Sequence, residues 1–134
     1  MKNRNLFSKL FRKKSADVTF EAIPHTGIRS LETQDGRITE FDFSAVECRL
    51  EELYRDPDQF VTLTLAEAPH GIRYVQACQA GGGIDVQLGL EENGRTRLVE
   101  KLHSPSECTA VFRQFYDHAC VEGQETYQPV EFFT

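Results

Sequence analysis

Apolar positions recur along this chain with two different periods. Val61, Leu63 and Leu65 alternate with polar residues, predicting a strand from Phe60 to about Ala66. Ala68-Pro69-His70-Gly71 reads as a turn, and a second strand runs from Ile72 through Tyr74 to about Gln79. Ile84, Val86, Leu88 and Leu90 alternate strictly with Asp85, Gln87 and Gly89, so this strand has one buried and one exposed face. Asn93-Gly94 demands a tight reversal, and Arg95 to Leu102 returns with Leu98 and Leu102 expected on the buried side. Short links between successive strands favour an antiparallel meander. Upstream, Asp17 to Ala22 alternates modestly, Pro24 and Gly27 bound a loop, and Asp35-Gly36 splits Leu31 to Phe43 into a hairpin.

The period changes to that of a helix in two places. Val46, Leu50, Leu53 and Tyr54 share one face of a segment that Ser44 can cap. Glu47 lies three residues on as its capping-box partner, and Phe43 just outside is placed to pack on Cys48. Asp56-Pro57-Asp58 ends this helix, because the residue before a proline is pushed out of the helical region. Ser104, Pro105 and Glu107 then write a cap, a first helical position and a capping box. Val111, Phe112, Phe115, Tyr116 and Ala119 form a wide apolar stripe, ending near Cys120 with Gly123 as relief. The stretch Tyr127 to Phe133 suits an edge strand, since Pro129 removes a ladder donor. The expected fold is α+β: an antiparallel sheet of about five to six strands with two helices on one face. The other sheet face is then the natural recognition surface.

Charge divides the chain into a tail, residues 1–15, and one domain, residues 16–134. Met1 to Lys14 carries Lys2, Arg4, Lys9, Arg12, Lys13 and Lys14 and no acid. The remaining 120 residues hold nine Lys/Arg against 21 Asp/Glu, a net charge of -12. So acidic a body repels nucleic acid and favours basic partners. Leu6, Phe7, Leu10 and Phe11 fall on one side of a short helical segment whose other side is basic. Phe7, Leu10, Phe11, Arg12, Lys13 and Lys14 are therefore candidates for touching an anionic membrane surface or an acidic groove. Self-association of the tail with the acidic body is a third use of the same residues, while the plain reading is a flexible solubilising extension that becomes helical only on a surface or partner. Lys9 interrupts the apolar stretch too early for a secretory leader, and position two is not glycine. Cys48, Cys78, Cys108 and Cys120 are widely spaced and read as buried thiols in a reducing, cytoplasmic setting.

Candidate chemistry is sparse. Gly81-Gly82-Gly83 lacks the Lys-Ser/Thr of a phosphate loop and leads into a strand, so it reads as a hairpin tip. His25 and His70 sit beside glycines in turns, and with Gly81, Gly82 and Gly83 they could converge on a small-ligand or enzymatic pocket. His118, Cys120 and Glu122 lack the paired short steps of a structural zinc site. Cys108 near a helix start could be activated by the dipole, but its place beneath the cap favours a core thiol. No cofactor, metal or catalytic residue is called for. Asp35, Asp56, Asp58, Asp85, Glu91 and Glu92 are candidates for a surface complementary to a basic protein, with Tyr74 and Tyr127 as anchors.

The run FVTLTLAEAPHGIRYVQACQAGGGIDVQLGL, followed by the Ser-Pro-Ser-Glu helix start, resembles small bacterial immunity proteins that neutralise secreted toxins. The resemblance covers roughly residues 38–119 and rests on strand order, on Tyr-Val-Gln followed by glycines, and on acidity. It implies a cytoplasmic, catalytically inert protein that occupies the basic groove of a nuclease-like toxin; the sequence itself leaves monomer and homodimer both open. A second reading is a chaperone of the type III secretion kind, holding an extended partner against sheet and helix surfaces.

Overall fold

The computed structural model describes residues 29–130. The tail, the strand expected at Asp17 to Ala22, the loop containing His25 and the last four residues lie outside them. The chain forms β1 (Arg29–Thr33), β2 (Gly36–Ile38), α1 (Phe43–Arg55), β3 (Phe60–Leu65), β4 (Ile72–Ala80) and β5 (Gly83–Glu92). It continues through β6 (Arg95–His103), α2 (Pro105–His118), a single 3-10 turn at Gln124–Thr126 and β7 (Gln128–Pro129). All seven strands belong to one antiparallel sheet in the order β2-β1-β3-β4-β5-β6-β7, and both helices pack on the same face of it. The fold class is as the hydrophobic pattern predicts, with more strands than expected among the described residues.

The helix-bearing face forms the core. Leu31, Leu63, Val75, Leu88 and Val99 lie directly opposite one another across five strands, all buried. Onto this line α1 lays Val46, Leu50 and Leu53, and α2 lays Cys108, Phe112 and Phe115. Polar contacts fix the helices where packing alone would let them slide. Gln79 of β4 donates to the Leu53 and Tyr54 carbonyls in the last turn of α1, where Leu53 also accepts the N–H of the C-cap residue Asp56. The Tyr54 hydroxyl meets Thr109 Oγ1 at 2.8 Å, tying α1 to α2. Arg29 donates to the Tyr116 carbonyl and stacks over the Tyr116 ring, linking β1 to the end of α2.

α2 begins as its sequence predicts: Ser104 accepts from the Glu107 backbone N–H, Glu107 accepts from that of Ser104, and Pro105 follows the cap. It ends on Ala119 at φ 61, the left-handed position, one residue before the expected end. The start of α1 differs from expectation. Asp42, not Ser44, is the cap, and its carboxylate accepts from both the backbone N–H and the hydroxyl of Ser44. Phe43 is thereby drawn into the first turn and buried edge-on against Tyr116 at 5.4 Å, while Cys48 points to solvent. Of the four thiols, all free, only Cys108 is fully buried, and that burial pushes its pKa up to about 12, the opposite of dipole activation.

Three strand details also depart from the pattern. The first hairpin turns on Gln34-Asp35 rather than Asp35-Gly36, with Thr33 opposite Gly36 at φ 131. A bulge between Ile72 and Tyr74 puts these two residues on opposite faces of β4. On β6 it is Val99 that is buried, whereas Leu98 is half-buried and Leu102 is 53% exposed on the other face. The pairing of Leu88 with Val99 fixes this, because a one-residue slip would exchange every side chain of β6 between the faces.

Candidate functional site

The face of the sheet away from the helices includes three long rows of directly opposed residues, with the pair Glu91–Thr96 beyond them. The first row is Ser30, Thr64, Tyr74, Gly89 and Leu98. The second is Glu32, Thr62, Gln76, Gln87 and Glu100, and the third is Phe60, Cys78, Asp85 and Leu102. Gly89 has a steric reason to be glycine. A Cβ there would lie 2.8 Å from Tyr74 Cδ2 and nearer still to Cε2 and Cζ, so the Tyr74 ring lies flat across it. Tyr74 is only 7% exposed and forms floor, not a projecting anchor; Ser30, Thr62 and Thr64 are buried as well, so the accessible part of this face is its β4–β6 side, around Gln76, Gln87, Asp85, Glu100, Leu98 and Leu102.

The middle row is polar. Thr62 Oγ1 donates to Gln76 Oε1 at 2.8 Å, and Gln87 Nε2 donates to Asp85 Oδ2 at 3.2 Å. Glu100 stands diagonally across from Asp85, and no ion pair to a cation is made by either carboxylate among the described residues. Burial, followed by the hydrogen bond and charge of Asp85, holds the Glu100 carboxyl above the ordinary glutamate value of 4.5. Burial and then the charges of Asp85 and Glu100 likewise raise the Cys78 thiol. Around these acids lie the half-buried Phe60 and Leu98 and the exposed Leu102. A cleft lined by Glu92, Thr96, Arg97, Leu98, Pro129 and Val130 continues the surface toward β7. This face thus combines a negative pair that has no cationic partner among the described residues with one exposed leucine, Leu102.

The acids proposed from sequence do not form one rim. Asp35, Asp56 and Asp58 gather at one end of the sheet, where Gln34 donates to the Asp58 carbonyl and accepts from the Phe60 backbone N–H. Gly81 and Gly82, the exposed tip of the β4–β5 hairpin, lie at that same end, while Gly83 packs close to the His103 carbonyl. Glu91, Glu92 and the exposed His70 are at the opposite end, about 26 Å away along a nine-residue strand. A pocket shared by His70 and the glycine tip is therefore ruled out by the length of β4, and His25 lies outside the described residues. Glu91 and Glu92 are also engaged, by Arg73 at 3.3 Å and by Arg97 at 3.1 Å. Tyr127, the second expected anchor, is 7% exposed and on the helix side. There its hydroxyl meets His103 Nε2 at 2.7 Å, and burial raises its pKa to about 12. Of the proposed acids, Asp85 and Glu91 lie on this face, and Glu91, opposite Thr96, is engaged by Arg73, so Asp85 is the one without a cationic partner among the described residues.

Sequence reasoning missed Glu100, Leu98 and Leu102. The available signal was the alternation of Thr96, Leu98, Glu100 and Leu102 against Arg97, Val99 and Lys101, which by itself does not say which set faces the helices. Among the described residues no group of three or more His, Cys, Asp or Glu converges as metal ligands, and no helix is long and apolar enough to cross a membrane.

Replacing Glu100 by glutamine gives a testable sign. A carboxyl whose native pKa is raised is protonated more readily in the folded than in the unfolded chain. Its contribution is full below the unfolded value near 4.5 and is lost as pH rises through the native value. Glu100→Gln should thus raise the Tm at pH 7, with the gain shrinking toward pH 4, in thermal melts of both proteins across that range. An equal gain at both pH values would contradict the crowding of Glu100 against Asp85.

Comparison with family models, with curated proteins and with solved structures gives no significant match.

Proposed function

We propose that this chain is a non-catalytic protein-binding module whose open sheet face receives a cationic, partly apolar segment of a partner protein. In this reading it blocks a basic partner as a toxin-neutralising immunity protein does. The observation that carries it is the placement of Asp85 and Glu100, with no cationic partner among the described residues, beside the exposed Leu102 on the sheet face away from the helices. A carboxyl pair that costs stability in the free protein is relieved by a Lys or Arg inserted between its members. Opposite charge steers the encounter, and the leucines supply the area that holds the complex.

Affinity capture on the immobilised full-length chain, at about 50 mM and 500 mM salt, tests this reading. The wild type should retain a basic protein at low salt. Leu98→Ser/Leu102→Ser and Asp85→Asn/Glu100→Gln should each cut retention at least tenfold, while Glu51→Gln on the exposed side of α1 leaves it unchanged. Retention indifferent to both face variants would overturn the assignment of the face.

A further inference from the structure

We infer that capture at the open face is proton-linked: the free protein keeps one proton between Asp85 and Glu100, and a Lys or Arg side chain of the partner expels it to solvent on binding. This linkage rests on the reading of that face as a binding surface and concerns how the surface is regulated. Register places the two acids together. Asp85 stands opposite Leu102 and Glu100 opposite Gln87, so they are diagonal neighbours on adjacent strands of one face. Gln87 Nε2 donates to Asp85 Oδ2 at 3.2 Å, and this bond draws the Asp85 carboxylate along β5 toward the position that faces Glu100. Two carboxyls so placed are hard to ionise together, and one proton held by the pair removes the repulsion. Glu100 is also half-buried, and that burial, ahead of the hydrogen bond and charge of Asp85, works in the same direction.

Nothing around the pair compensates it among the described residues. β3 brings Phe60 and Thr62 to this face, β4 brings Gln76 and Cys78, and β7 brings Gln128 opposite Glu100. The Cys78 thiol, raised first by burial, is neutral wherever the carboxyls titrate. Arg73 is bonded to Glu91, and Glu91 stands opposite Thr96, about 13 Å along β6 from Glu100. Arg37, opposite Glu32, is five strand spacings away, about 24 Å. Both helices lie behind the sheet. A partner cation seated against the pair favours its doubly ionised form, so the bound state holds fewer protons than the free one. At acid pH the free protein holds the proton, and capture must either expel it or settle for a single charge. As pH rises through the raised value of Glu100 that cost disappears, and affinity climbs by up to about tenfold per pH unit for one proton. Once both carboxyls ionise without a partner, the dependence ends.

Calorimetric titration of the full-length chain with the peptide acetyl-Leu-Arg-Leu-Lys-Leu-Arg-amide tests this, in pairs of buffers that differ in ionisation enthalpy, so that released protons are counted. At about pH 5 the wild type should release roughly half a proton or more per peptide, and it should bind about tenfold more tightly near pH 7. Glu100→Gln should release almost none, bind within about twofold of the wild type at pH 5, and gain less than about twofold toward pH 7. Glu51→Gln on α1 should behave as the wild type. Wild-type binding without proton release, or release unchanged in Glu100→Gln, would overturn the inference. If binding near pH 7 still depends on Leu98, Leu102, Asp85 and Glu100, the inference alone falls. Binding indifferent to those residues, or absent up to about 1 mM peptide, would overturn the reading of the face together with it.

Discussion

Truncating Phe112 to alanine should lower the unfolding free energy by about 3–5 kcal/mol. Phe112 is fully buried at the centre of the stripe that α2 presses onto the sheet, with Cys108 one turn before it and Phe115 and Tyr116 after it. Its removal leaves a cavity walled by β-strands that are themselves paired on both sides, so the walls cannot collapse inward. Domains of this size hold about 5–15 kcal/mol in total, and the Tm should fall by roughly 10–20 °C. Denaturant titration of wild type and variant measures the difference directly. A loss under about 1 kcal/mol would mean that α2 is not seated on the sheet as described.

Gly89→Val should destabilise the protein by about 1–3 kcal/mol, although strand propensity alone predicts the opposite sign. Valine suits a central strand and glycine weakens one, yet any Cβ at position 89 overlaps the ring of Tyr74. The ring must swing off the sheet, and Tyr74 then loses the cover that keeps it at 7% exposure. In a Tyr74→Ala background the same valine should be neutral or stabilising. The resulting coupling, read from chemical denaturation of the four proteins of the cycle, should be at least about 1 kcal/mol. Additive effects would contradict the close approach of Tyr74 to Gly89.

Local signals survive in the structure where they are redundant. The start of α2 is specified by Ser104, Pro105 and Glu107 together, and all three take their expected places. Ile84, Val86, Leu88 and Leu90 leave β5 no second choice of face, and Asn93-Gly94 forms the reversal with both residues at positive φ. Where two residues compete for one role, the sequence does not choose between them. Asp42 and Ser44 are both good caps, and burial of Phe43 on Tyr116 settles the matter from 73 residues away. On β6 the two leucines suggested the buried face, but Val99 is held there by its partner Leu88.

The sheet face away from the helices was legible as a consequence of the fold and illegible in its detail. Two one-sided helices on one sheet predict that the other face carries no helix, and among the described residues the topology agrees. The rows themselves depend on register, which is a property of strand pairs rather than of any segment. The bulge after Ile72 carries Tyr74 to the open face, and only the pairing of β5 with β6 brings Glu100 beside Asp85. Linear distance likewise hid that Glu91 and Glu92 stand at the far end of the sheet from Asp35, Asp56 and Asp58.

The most direct test of the open face as the binding surface is covalent footprinting of the full-length protein, free and bound to the basic protein it captures at low salt. Carboxyl labelling of Asp85 and Glu100 and radical oxidation of Leu98 and Leu102 should fall several-fold in the complex. Glu47 and Glu51, on the exposed side of α1, should label equally in both states. Protection of α1 with the four sheet residues unchanged would contradict the account.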